Sequence, residues 1–220
     1  MTRTLFDREL THIRATIQTL GERADTATAR AVEALVNRDY DAAVSVKAED
    51  ATSDQMRYEL ESECVMVLAT QQPVARDLRE VLAATFVATE LERCGDYAKG
   101  IAKAARRITK SNNDQFGPYN LTDMSRMARE MLQRSTKAFL DKDSQAARAL
   151  VNDDEYIDKL YNDLVVYTTT VMTNDPSNIE CGVWLMHAGH CLERIGDRAT
   201  NIAERVIFMQ DGELSDRKNR

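Results

Sequence analysis

Leu91-Glu92-Arg93-Cys94-Gly95-Asp96-Tyr97-Ala98-Lys99-Gly100-Ile101-Ala102 recurs as Leu192-Glu193-Arg194-Ile195-Gly196-Asp197-Arg198-Ala199-Thr200-Asn201-Ile202-Ala203. Eight of the twelve positions are identical, at a constant displacement of 101 residues that carries Glu92 to Glu193 and Asp96 to Asp197. Each copy sets a Glu and an Asp four residues apart. On a helix that is one turn, about 6 Å of rise, so both carboxylates project from one face and repel. A lone pair of this kind reads as a solvated acidic face. Recurrence at matching places in two halves points instead to a cation held between the acids.

Composition narrows the fold. The 220 residues include 8 Gly and 3 Pro and are rich in Ala, Leu, Glu and Arg, which predicts helix throughout. A repeat at fixed offset predicts two similar halves. With 29 basic against 36 acidic side chains the net charge is −7, which excludes a general nucleic-acid binder with its basic stripe. No apolar run approaches the ~18 residues of a membrane span, and the first residues lack a signal-peptide core. A soluble, cytoplasmic protein without direct membrane insertion is expected. Cys64, Cys94, Cys181 and Cys191 show no C-x-x-C spacing and fall in helical patterns, as reduced core residues do.

Outward from the repeat, apolar residues spaced by threes and fours define six long helices. Ile13, Ile17, Leu20, Ala24, Ala27, Ala31 and Leu35 mark the first, closed by a turn at Asn37-Arg38-Asp39. Ala43, Val46, Leu60, Cys64 and Val67 mark the second, and the same count lands on Asp50, with Asp54 one turn further. Gln71-Gln72-Pro73 ends it. The third runs from about Val74 to Ile108, with Glu92 and Asp96 one position off its buried stripe. Lys110–Asn120 is linker-like and separates the halves. Thr122 is the expected N-cap of the fourth helix. The fifth carries Ala147, Leu150, Ile157, Tyr161, Leu164, Thr168 and Val171, with Asp154 in the stripe and Asp158 a turn on. This second acidic pair is displaced by 104 from Asp50 and Asp54. Asp175-Pro176 breaks the chain, Ser177-Asn178-Ile179-Glu180 reads as a capping box, and Asp211-Gly212 stops the sixth helix. The fold class is all-α, two tandem, similar antiparallel three-helix bundles: residues 1–110, residues 119–212, and a flexible tail 213–220.

If second and third helices are neighbours, four carboxylates converge in each half: Asp50, Asp54, Glu92 and Asp96, then Asp154, Asp158, Glu193 and Asp197. Salt bridges from Arg57, Arg93 and Arg194 would explain them without a metal. A metal site explains better why all recur in one-turn pairs, and all-oxygen ligands suit Mg, Mn, Ca or iron and disfavour structural zinc. A di-iron bundle enzyme would need Glu-x-x-His on two helices. Glu9-Leu10-Thr11-His12 is the only instance, and His187 and His190 read as helix residues or a local polar patch. No Ser–His–Asp order, phosphate-binding glycine loop or H-E-x-x-H is present.

The doubled L-E-R-x-G-D segments closely resemble the signature of the PhoU family. So do Gln72-Pro73-Val74-Ala75-Arg76-Asp77-Leu78-Arg79, Asp154-Glu155-Tyr156-Ile157-Asp158, and Val206-Ile207-Phe208 with Gly212-Glu213. The resemblance spans about residues 5–214. It implies a non-enzymatic cytoplasmic regulator that restrains the high-affinity phosphate ABC transporter and helps keep a phosphate-sensing histidine kinase silent. It also implies metal ions (iron, manganese, magnesium or zinc) on the E/D-x-x-x-D motifs, and a homodimer. A carboxylate-bridged metal enzyme of di-iron or manganese type is the alternative, and a metal-free helical scaffold a third. The copies differ in places: Gly100 stands where the second has Asn201, and proline precedes the motif Glu by 19 residues in the first half and 17 in the second.

Overall fold

The computed structural model describes residues 3–48, 51–111, 117–151 and 153–212. Its order is α1 (Arg3–Val36), α2 (Tyr40–Ala48), α3 (Ala51–Gln71), α4 (Ala75–Lys110), α5 (Leu121–Asp141), α6 (Ser144–Leu150), α7 (Asp154–Asn174), a 3-10 turn (Pro176–Asn178) and α8 (Ile179–Asp211). No strand occurs among the described residues, so the fold is all-α, as the pattern predicts. The second helix of each half comes in two pieces, α2 with α3 and α6 with α7. The break after α6 is sharp: Arg134 Nη1 of α5 holds Asp153 Oδ2 at 2.5 Å between the pieces. The stripes themselves are where the spacing puts them. Ala43, Val46, Leu60, Cys64 and Val67 are buried, as are Ala147, Leu150, Ile157, Leu164 and Thr168, while Tyr161 and Val171 are half-buried at the edge of the core.

Two capping expectations are corrected. Thr122 does not cap α5; Asn120 precedes it in the left-handed region, which Asn tolerates, with no side-chain cap. Ser177 and Glu180 form no capping box at α8, because Pro176 starts a 3-10 turn that Asp175 caps through the Ser177 amide. The expected stop at Gly212 is present: φ is 78° and its amide donates to Phe208 O at 2.9 Å.

The two halves lie against each other along their long helices. Arg79 near the start of α4 donates to Met209 O at 3.0 Å and Gln210 O at 3.3 Å at the end of α8. At the opposite end Ser111 Oγ lies 2.8 Å from Cys181 Sγ of α8. The pair is therefore antiparallel. α1 and α5 are joined in turn by Arg129, which grips both oxygens of Asp25 at 2.8 and 2.9 Å. Buried apolar residues of both halves form one continuous core. All four cysteines are buried and in no disulfide, and burial pushes the Cys64 and Cys191 thiols up to about 12, as expected of reduced core residues. Among the described residues no helix is long and apolar enough to cross a membrane. The linker residues 112–116 and the tail 213–220 lie outside the described residues.

Close approach of α7 to α8 depends on glycine. A Cβ at Gly189 would stand 2.2 Å from Leu164 Cδ2, in a fully buried contact. Gly189→Ala is expected to destabilise by about 1 kcal/mol net, overpacking outweighing the gain in helix propensity. Chemical denaturation measures it.

Candidate metal centres

The repeated segments bury the same positions. Leu91, Cys94, Ala98 and Ile101 on α4, and Leu192, Ile195, Ala199 and Ile202 on α8, are wholly inside. Glu92, Glu193 and Asp197 are half-buried beside those stripes, and Asp96 is exposed. The motif glycine sets the spacing to the neighbouring helix: a Cβ on Gly196 would lie 3.2 Å from Ile157 Cγ2 of α7. With hydrogen there, α7 closes on α8 and carries Asp154 and Asp158 alongside Glu193 and Asp197.

Each acidic pair feels the other. Burial pushes Glu193 up to about 7, helped by the charges of Asp197, Asp158 and Asp154 and opposed by Arg194. Asp158 is raised by burial and then by Asp197. In the first half burial raises Glu92, helped by Asp96 and Asp54 and opposed by Arg57 and Lys99. Asp50 lies outside the described residues. Among the described residues, however, no three His, Cys, Asp or Glu side chains close around one point as they stand. The acids share two patches; they do not form a finished coordination sphere.

The three arginines expected as competitors divide. Arg57 turns to Glu61 at 3.2 Å and lies over the Tyr58 ring, and Arg93 pairs with Glu90 at 3.1 Å. Arg194 does engage the cluster, with Nη1 2.6 Å from Asp197 Oδ2 and Nε 3.4 Å from Glu193 Oε2. Lys99, not an arginine, holds Asp96. Asp54 Oδ1 and Glu193 Oε2 are buried with no hydrogen-bond donor, the latter having only the longer ion-pair contacts of Arg194 and His190. His190 Nδ1 lies 3.4 Å from that same Glu193 oxygen without bonding it. Buried carboxylate oxygens lacking donors, in an all-oxygen set, fit a hard cation. Such an ion would neutralise and bridge the acids across the two helices of each half.

Sequence reasoning missed the neighbours. His190 is three residues before Glu193, a spacing that signals contact on a helix face. His187 lies 3.8 Å from Cys191 Sγ and edge-on to Trp184. His12 approaches Glu63 at 3.7 Å, away from both patches.

The pairing of α4 with α8 accounts for the mismatch between Gly100 and Asn201. Asn201 Nδ2 donates to the buried Glu90 Oε2 at 2.8 Å, and Arg198 reaches the same oxygen at 3.2 Å. The repeat equivalent of Glu90 is Cys191, and its sulfur would lie 2.8 Å from a Cβ on Gly100. A long polar pair on one side of the crossing is matched by a sulfur against a glycine on the other, so the two patches sit in unequal surroundings.

Without metal, Glu193 should govern a pH response. Its carboxyl titrates higher folded than unfolded, so stability is greatest below the ordinary Glu range and falls as pH rises through about 7. After discounting for its part exposure, about 1–2 kcal/mol is expected to be lost between pH 5 and pH 8 in chelated protein, and less in Glu193→Gln. Urea denaturation at both pH values measures the difference.

Two sequence-related helical units, fused along their long third helices and each setting acids of the third helix beside at least one acid of the second, define a duplicated helical-bundle protein with carboxylate patches. The PhoU domain family model matches residues 17–105 and 121–206, and the chain belongs to the PhoU family. A relative from Caulobacter vibrioides (strain NA1000 / CB15N), named phosphate-specific transport system accessory protein PhoU homolog, is 34% identical over 208 residues, covering 94% of this chain and 90% of that protein. The crystal structure of PhoU from Pseudomonas aeruginosa, 31% identical, superposes with a TM-score of 0.90 over 94% of this chain and 100% of that one. The phosphate transport system regulatory protein PhoU from Streptococcus pneumoniae, 29% identical, gives 0.89 over 96% and 99%.

Proposed function

We propose that this chain is a non-enzymatic accessory regulator of phosphate transport that restrains uptake, and the phosphate-starvation response, when phosphate is plentiful. The observation that carries the reading is the family match across both repeats, with relatives named as accessory proteins of the phosphate-specific transport system. Its partners on this reading are the phosphate ABC transporter and the phosphate-sensing histidine kinase, engaged through helical surfaces at the cytoplasmic side, with the chain acting as a homodimer. The acidic patches hold metal ions that keep the second and third helices of each half together. The donor-less oxygens of Asp54 and Glu193 support that role. No second Glu-x-x-His accompanies Glu9 and His12, which leaves the di-iron enzyme alternative without its ligand set.

The test is a deletion strain grown in phosphate-rich medium. Expression of phosphate-starvation genes should rise, and the wild-type chain should restore silence. Unchanged expression in the deletion strain overturns the reading.

A further inference from the structure

The last three turns of α4 carry Lys99, Lys103, Arg106, Arg107 and Lys110, which with Ala43 of α2 line an open cavity of about 480 Å³. Its small lining residues, Ala43, Gly100 and Ala102, leave room above the helix. From residue 99 to 110 the cationic row runs about 16 Å. The chain as a whole is acidic, and cations elsewhere are typically matched: Arg14 with Glu80, Arg129 with Asp25, Arg134 with Asp153, Arg148 with Asp211.

Here the matching stops. Among the described residues no carboxylate lies within ion-pair distance of Lys103, Arg106, Arg107 or Lys110; the fifth cation, Lys99, is held by Asp96. Their neighbours are rings instead. Lys103 and Arg107 sit 5.5 and 5.7 Å from Trp184, and Arg106 and Lys110 sit 5.5 and 5.0 Å from Tyr40. Four like charges on two turns repel, a cost that the rings and the C-terminal end of α4 offset only in part. A second observation is independent of the count. Arg106 Nε is buried with no acceptor, while its Nη2 reaches only the Tyr40 hydroxyl at 3.5 Å. A buried guanidinium N–H without an acceptor is expensive, and the same side chain lines the cavity. Hydrogen bonds from Arg106 first and then Lys110 hold the Tyr40 hydroxyl below its ordinary range.

We infer that this groove binds a soluble polyanion of linked phosphoryl groups, of the size of inorganic triphosphate or the triphosphate of a nucleotide. A single tetrahedral oxyanion reaches the cations of one turn, whereas linked phosphoryl groups reach those of two or three. Guanidinium forks match phosphoryl oxygens in pairs.

Calorimetry of the full chain with inorganic triphosphate, with and without EDTA, tests this. One site is expected in both conditions, weakening as salt rises, with inorganic phosphate binding more weakly. Lys103→Ala/Arg107→Ala removes two exposed side chains and should cost about 10-fold or more in affinity at unchanged melting temperature. Should that variant misfold, acetylation of the wild-type chain read by mass spectrometry gives the answer: triphosphate should protect Lys103 and Lys110 but not the exposed Lys137. Several results overturn the inference. They are no binding, binding unchanged in a folded double variant, binding lost with EDTA, no protection of Lys103 and Lys110, or capture only by anionic vesicles or poly-glutamate that triphosphate does not displace.

Discussion

Adding Mn²⁺ to chelated protein should raise its melting temperature by about 5–10 °C once the free ion reaches ~100 times its dissociation constant. Binding to the folded state alone contributes about 2.7 kcal/mol there, and a chain of this length moves about 2–4 °C per kcal/mol. The increment should shrink sharply in Glu193→Gln/Asp197→Asn, and separately in Glu92→Gln/Asp96→Asn if the first patch also loads. The sign in the absence of metal is the sharper test. Glu193 carries a carboxylate that its own neighbours and burial disfavour, so Glu193→Gln alone should stabilise the metal-free chain. If Arg194 were the acids' real partner, the opposite would hold: Glu193→Gln would destabilise, and Mn²⁺ would do nothing. Running the same melts with iron, magnesium and zinc ranks the ions.

Glu80→Ala should cost about 2–3 kcal/mol and lower the melting temperature by about 5–10 °C. Glu80 is almost wholly buried on α4, where Arg14 of α1 donates to it from Nε at 2.8 Å and from Nη2. Lys142, between α5 and α6, reaches its other oxygen at 2.6 Å. Removing the acid strands two cations. Each is about one-third exposed and partly recovers hydration, which places the loss below that of a fully enclosed pair. Glu80→Gln keeps one acceptor oxygen for one of the two cations but turns an amide donor on the other, and should fall between. A melting temperature within 2 °C of wild type in Glu80→Ala would show that this cross-half tie contributes little.

How far the site could be read depended on how local its causes are. Glu92 with Asp96, and Glu193 with Asp197, are pairs on single uninterrupted helices, so spacing alone put each on one face. Asp54 and Asp158 were placed opposite them on the assumption that second and third helices are neighbours, and the mutual influence of these charges agrees. Arg93, expected as a competitor for the cluster, pairs instead with the buried Glu90 three residues before it on the same helix face. Glu80 and Glu90 gave no signal at all, since a buried acid looks like any surface acid until its partners on other helices are known. The caps at Thr122 and Ser177 failed because backbone choices one or two residues earlier, at Asn120 and Pro176, had already closed those ends.

The amino-acid order by itself determined the helical class, the duplication and the identity of the repeated acids, because helix periodicity and a fixed-offset repeat are properties of neighbours along the chain. Tertiary structure alone decided which acids keep a donor-less oxygen and which are taken by Arg194 or Lys99. It also decided that Glu90 meets Asn201 where Cys191 meets Gly100, and that Lys103, Arg106, Arg107 and Lys110 of α4 line a cavity with no carboxylate of the described residues beside them. Those outcomes turn on the antiparallel pairing of α4 with α8 and on how closely α2 and α7 approach them, distances that no spacing along one helix encodes.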